Sequence, residues 1–173
     1  MTSFATGIRT LHLVALAALT LACGPKPLPP SAESAILGRE VPRFSRPSVG
    51  GEPAGTKDVE GKVVVVKFFA KFCEPCKKTL PEAQALHESR SDVVVIGVAE
   101  DESERDVAEL VSRYRLTFPV IHDRGNVLSG RYRVADLPST FVADAAGNIV
   151  WVGGPGQAPG DLASAVRFAA AKR

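Results

Sequence analysis

Two cysteines separated by two residues, Cys73-Glu74-Pro75-Cys76, interrupt the stretch "VVVVKFFAKFCEPCKKTLPEAQALHE", Val63 to Glu88. A Cys-x-x-Cys pair where a strand turns into a helix has a definite chemistry. The first sulfur falls at the helix N-terminus, where unpaired backbone amides and the dipole favour an anion. That setting lowers a thiol pKa from about 8.5 toward roughly 3.5 to 7.5. The second sulfur lies one turn on along the same face, close enough to close a disulfide. Pro75 suits the first helical turn, where a missing N–H is no loss. Cys73 is therefore expected to be the exposed nucleophile and Cys76 the sheltered resolving thiol. Two other readings compete. A structural disulfide across so short a loop constrains the unfolded chain little. A zinc site needs a second ligand pair, and His12, His87 and His122 are scattered along the chain. No metal is expected, and no cofactor beyond the redox-active disulfide.

The elements that hold this pair follow from hydrophobic periodicity. Lys62 to Ala70 is β-branched and aromatic, as a central strand covered on both faces is. Pro75 to Arg90 reads as a helix, with Cys76, Leu80, Ala83 and His87 near one stripe. "DVVVIGVA", Asp92 to Ala99, is a second buried strand. "DESERDVAELVSRYRL" begins acidic and ends basic, which suits the helix dipole, and Val107, Leu110, Val111 and Tyr114 repeat at helical spacing. Ser139 to Gly154 reads as two strands joined by a Gly-Asn turn. "DLASAVRFAAAK" closes the chain as a helix with Leu162, Ala165, Val166 and Ala169 on one face. Residues 41–62, broken by Pro and Gly, predict a short strand or hairpin. The sum is an α/β fold, a three-layer sandwich whose mixed central sheet is flanked by helices.

The N-terminus reads as an address. Arg9 is the only charged residue before the uncharged stretch from Leu11 to Cys23, which is too short to span a bilayer and suits a secretory signal. Ala22, Cys23 and Gly24 resemble a bacterial lipoprotein signal, with Thr20 departing from the usual Leu. The resemblance implies a signal peptide over residues 1–22 and lipidation of Cys23. A Pro-rich tether would then span residues 23–40, extended at roughly 3 Å per residue, and a folded domain residues 41–173. The alternative is an ordinary cleaved signal with an incidental cysteine. Lipidation would explain an odd cysteine count in an exported chain. The formal net charge of +2, without a run of like charges, gives no argument for nucleic acid. A monomer is expected.

"VVVVKFFAKFCEPCKKTLPE" together with "ADLPSTFVADAAGNIV" resembles the thioredoxin fold, and specifically the membrane-tethered TlpA/ResA-like thiol-disulfide oxidoreductases. The resemblance covers roughly Val41 to Lys172. It implies that Pro138 is cis and faces the disulfide, and that the backbone of Leu137 pairs with a substrate chain as an added strand. It further implies a place in the bacterial cell envelope and cysteine-bearing exported substrates, apo-cytochrome c being the family's best-known one. A membrane thiol relay would supply or remove electrons.

The departures from that family matter. Phe72 stands where a Trp usually precedes the first cysteine, and Thr79 where many relatives carry Glu. Lys67 lies six residues before Cys73, where thioredoxins carry a buried Asp that helps move the resolving thiol's proton. Alternation puts Val63, Val65, Lys67 and Phe69 on one face. The expectation is that the Lys67 ammonium lies beneath the cysteines and stabilises a thiolate, with Glu74 opposing it. Glu100 is a candidate partner for Lys67, and the competing reading has the lysine reach solvent along its stem. Two other functions are weighed. A peroxiredoxin-like peroxidase needs Thr where Ala70 stands. A Sco-like copper-binding chaperone needs a partnered His, for which His122 is the candidate.

Overall fold

A computed structural model of the protein describes residues 27–172 apart from Asp58 and Glu60. The signal segment and Cys23 lie outside the described residues. Five strands form one sheet: β3 (Val63–Phe69), β4 (Val93–Ala99), β5 (Val120–His122), β6 (Ser139–Ala143) and β7 (Ile149–Gly153), while β1 (Ser45–Ser48) and β2 (Gly51–Gly55) form the expected hairpin. The sheet runs in the order β5-β4-β3-β6-β7. β3, β4 and β5 are parallel, and β6 is antiparallel to both β3 and β7. The sheet is therefore mixed, as expected.

β3 is central and every residue in it is buried. Its two faces meet different layers. Val63, Val65 and Phe69 pack with residues of α1 (Glu74–Ser89), α2 (Glu104–Tyr114) and α4 (Asp161–Ala171). Val64, Val66 and Phe68 pack with Leu128 and Tyr132 of α3 (Val127–Tyr132) and with Val41 and Phe44. The two crossovers β3-α1-β4 and β4-α2-β5 step in one direction across the sheet. Right-handed connections then put both helices on the same face. The final helix buries Leu162, Ala165, Val166 and Ala169, the stripe read from the sequence.

The expected tether is docked over much of its length. Leu28 packs against the helical-face core. Ala32 N donates to Val152 O at 2.7 Å, Gly38 N to Ile149 O at 2.8 Å, and Val41 N to Gly147 O at 2.8 Å. Trp151 is fully buried and gives its indole N–H to Pro30 O at 3.1 Å. Ordered chain thus starts well before Val41. The physical reason is the sheet edge: without this strap β7 would present unpaired backbone groups. The bonding runs both ways, since Ile149 N donates to Arg39 O at 2.8 Å.

Candidate active site

β3 ends at Phe69, and the chain reaches α1 through Ala70, Lys71, Phe72 and Cys73. Three anchors hold this crossing. Glu100 N donates to Phe69 O at 3.0 Å, and Lys71 N donates to Asp101 Oδ1 at 2.8 Å. The Lys71 ammonium reaches Asp106 Oδ1 and Glu109 Oε2 of α2, each at 2.7 Å. Hydrogen bonds to those two carboxylates raise the Lys71 pKa. Burial raises the pKa of Asp101, whose Oδ2 has no hydrogen-bond partner. Sequence reasoning missed Lys71 and Asp101; the only signal was an acidic cluster directly after a buried strand.

Cys73 caps α1. Its backbone is extended (φ −81°, ψ 100°), and its Sγ accepts the Cys76 N–H at 3.2 Å. This is the electrostatic arrangement expected from the sequence: a helix-terminal amide aimed at the first sulfur. Cys73 and Cys76 are joined, with S–S 2.05 Å and Cα atoms 5.3 Å apart. Cys76 has no exposed surface, and Cys73 only 6%. The order of accessibility is as expected, but the first sulfur is barely open in the disulfide form. Cys73 belongs to the core cluster that holds Phe69, Ala70 and Leu80, and Phe72 just before it is 76% exposed.

Pro75 lies in the first turn, as expected. Glu74 is exposed and ion-paired with Lys77, whose hydrogen bond lowers its pKa. Its charge opposes a thiolate less than an unpaired carboxylate would. Thr79 turns its hydroxyl back to Cys76 O at 3.2 Å, so no acid stands one turn beyond the second cysteine.

The Leu137–Pro138 bond is cis, as the resemblance implied. Pro138 is buried and leads directly into β6, where Ser139 pairs with Phe68. The cis-proline therefore sits at the end of the sheet where β3 delivers Cys73. Ser139 Oγ donates to Asp136 O at 2.7 Å and fixes that corner. Leu137 is half-buried and touches both cores.

Lys67 has 0% exposed surface, which removes the snorkelling alternative. Its Nζ donates to Thr140 Oγ1 at 3.2 Å across the β3–β6 pair. Burial lowers its pKa to about 7, against an upward pull from Glu82 of α1. Glu100 is not its partner. Glu100 follows Ala99, whose side chain faces the helices, so strand alternation turns it the other way. There it accepts the Ser129 hydroxyl at 2.6 Å, and burial raises its pKa. Across four strands the row through Lys67 reads Gly97, Lys67, Thr140, Gly153. A methyl on Gly97 would come 2.9 Å from Phe118 and 3.0 Å from Phe69, and one on Gly153 would collide with Trp151 and Gln157 Oε1. Aromatic rings and one carboxamide thus take the space flanking the Lys67–Thr140 pair. Thr140, Glu82 and Gln157 carried no local signal in the sequence. Among the described residues no cluster of three metal-ligating side chains occurs, and His122 Nε2 lies 2.8 Å from Asp101 O.

A thioredoxin-like sheet that delivers a helix-capping Cys-x-x-Cys and a cis-proline at the same end defines a thiol-disulfide oxidoreductase. Comparison with known proteins agrees, and the chain belongs to the AhpC/TSA family, whose model matches residues 37–152. Over 120 residues it is 34% identical to the thiol-disulfide oxidoreductase ResA of Bacillus cereus, covering 68% of this chain and 69% of that one. The thioredoxin-like protein YneN of Bacillus subtilis is 31% identical, with 65% and 68% covered. Among solved structures, a secreted Mycobacterium tuberculosis disulfide oxidoreductase homologous to E. coli DsbE superposes with a TM-score of 0.65. It is 25% identical, with 73% of this chain and 95% of that one covered.

Proposed function

We propose that this oxidoreductase works in the bacterial cell envelope, held to a membrane by lipid on Cys23, and exchanges its Cys73–Cys76 disulfide with cysteine-bearing exported proteins. The observation that carries the exchange is the Cys76 N–H donated to Cys73 Sγ at the first turn of α1. An amide already aimed at that sulfur stabilises its thiolate when the disulfide opens. Cys73 attacks a substrate disulfide, a mixed disulfide forms, and Cys76 resolves it; oxidation of a substrate dithiol runs the same steps backward. Substrate approaches over exposed Phe72, and the Leu137 backbone beside cis-Pro138 pairs with it as an added strand. Apo-cytochrome c is the client the resemblance suggests, and a membrane thiol relay renews the active form. The envelope assignment draws on the N-terminal signal pattern, and a secreted relative supports it.

Two variants of the full chain test this in the bacterial envelope. Cys76→Ser should accumulate mixed disulfides with exported proteins through Cys73, and Cys73→Ser should abolish exchange. Cys23→Ser should release the protein from membranes while leaving exchange intact. A Cys76→Ser protein that traps nothing, or a Cys23→Ser protein that stays membrane-bound, contradicts the respective part.

A further inference from the structure

The N-terminal strap alters both the length and the direction of the tether it belongs to. The sheet has two ends. β3 delivers Cys73 at one of them, where Phe68 pairs with Ser139 and Thr140 with Gly153. The β6–β7 turn, residues 144–148, closes the other. The strap runs antiparallel to β7, from the first end to the second. Ser31 Oγ accepts from Val152 N at 2.9 Å, and Ala32 N donates to Val152 O at 2.7 Å, next to Gly153. Further on, Arg39 O accepts from Ile149 N and Val41 N donates to Gly147 O, each at 2.8 Å. A methyl on Gly154 would come 3.2 Å from the Ala32 side chain, so the strap lies close against the chain leaving β7.

A chain that became ordered only at Val41 would enter at the turn end, with the disulfide at the opposite end and residues 24–40 free as a spacer. Entry at Leu28 is different. Leu28 packs against the core cluster that contains Cys73 and Cys76. Only residues 24–27 separate it from Cys23. Fully extended, the path from Cys23 to Leu28 spans at most about 18 Å. A chain of this size folds to a radius of gyration of about 15 Å, hence a body about 35–40 Å across. The free tether is therefore shorter than the domain is wide. It holds the point where the strap enters, and the end of the sheet beside it, close to whatever Cys23 is fixed to. That end also presents Phe72, exposed just before Cys73.

We propose that the docked strap turns the active-site end of the domain toward the membrane, so that Cys73 exchanges with sulfurs held close to the bilayer surface and not with bulky partners arriving from the aqueous side. The inference rests on lipid at Cys23 and on exchange through Cys73. The strap is a positioning element and takes no part in the chemistry. Its hold is spread along β7: the Trp151 indole N–H on Pro30 O, the Ser31 and Ala32 bonds to Val152, and the Gly38 and Arg39 bonds to Ile149. Docking thus converts a spacer that would lift the site away from the bilayer into a short leash that keeps it there.

The full-length protein, purified from bacterial membranes and placed on vesicles with dansyl-labelled phosphatidylethanolamine, reads the orientation by energy transfer from tryptophan. Buried Trp151 gives a common background, measured in wild type. Phe72→Trp should lose most of its added emission to the dansyl headgroups, and Ala146→Trp, in the exposed turn at the other end, should keep its own. A flexible Gly-Ser insert of about 20 residues after Gly24 should restore the Phe72→Trp emission. The same insert after exposed Ala35 should not, because the strap before it stays docked on Val152. Reach is read by mixing the reduced protein, on unlabelled vesicles, with dithiobis(nitrobenzoate) either free or coupled to a large dextran. The free reagent should react alike in every variant. The dextran reagent should react several-fold more slowly with wild type and recover only with the insert after Gly24. Equal transfer from both ends, stronger transfer from Ala146→Trp, equal effects of the two inserts, or undiminished reaction with the dextran reagent each overturns the proposal. Protein recovered in the soluble fraction overturns the lipid anchor and the orientation with it, whereas loss of reaction with the free reagent overturns the roles of the cysteines and the exchange half of the proposal.

Discussion

Lys67 and Phe68 are neighbours in β3, equally buried, and serve opposite purposes. Phe68 faces α3 and meets Tyr132 at 5.0 Å and Phe141 at 5.7 Å between ring centroids, an aromatic cluster closed by Phe44. Burial pushes the Tyr132 phenol far above its ordinary pKa, so it stays protonated. Lys67 lies on the opposite face, in the row of Val63, Val65 and Phe69, bonded to Thr140 and within the field of Glu82. One strand thus separates an inert core from a working one by strict alternation of its side chains. The lesson is that stability and redox chemistry can be perturbed separately, one residue apart.

The largest expected effect lies on the inert face. Phe68→Ala should destabilise the oxidised protein by about 3–5 kcal/mol through the cavity it leaves, while leaving the reduction potential unchanged. Denaturant unfolding and thiol-redox titration read the two, and a large shift in potential would erase the distinction between the faces.

On the working face the effect depends on pH. Unfolded Lys67 keeps its proton to about 10.5, whereas in the fold burial lowers the pKa to about 7. Between those values the unfolded chain binds more protons, so stability rises with pH across that window. Below about 7 both states are protonated and this contribution is flat. Unfolding of Lys67→Met should lack the rise, and matching slopes for variant and wild type would show that the amine ionises normally.

A smaller effect concerns the potential. The ammonium favours thiolate and hence the reduced form, so Lys67→Asn should lower the potential by tens of millivolts, at about 30 mV per 1.4 kcal/mol. A change below about 10 mV would retire the electrostatic role. Smallest is Trp151→Phe, which removes the hydrogen bond to Pro30 O and should cost about 1 kcal/mol. Faster proteolysis before Val41 would accompany it; an unchanged cleavage rate would mean the strap is held elsewhere.

What could be read from the sequence follows a physical line. The Cys-x-x-Cys site was legible because capping chemistry is local: Cys73, Pro75 and the helix start lie within one turn. The face of Lys67 was legible because alternation is local too. Its partners were not. Thr140 lies 73 residues away in sequence, and pairing it with Lys67 requires the β3–β6 register. Glu100 misled because nearness to a strand end ignores the parity that points it toward Ser129. β5 escaped notice because three residues show no alternation, and α3 because six show no repeat. The docking of the Pro-rich segment on β7 is not legible in the sequence, because edge pairing leaves no compositional trace in a proline-rich run.

The central claim is that the start of α1 makes Cys73 acidic while Cys76 stays shielded. Timed alkylation of the reduced protein with iodoacetamide across pH, mapped to each cysteine, tests it directly. The account predicts fast modification of Cys73 with a midpoint well below the roughly 8.5 of a free thiol, and slow modification of Cys76. If both sulfurs react at the pace and midpoint of free cysteine, the account is wrong.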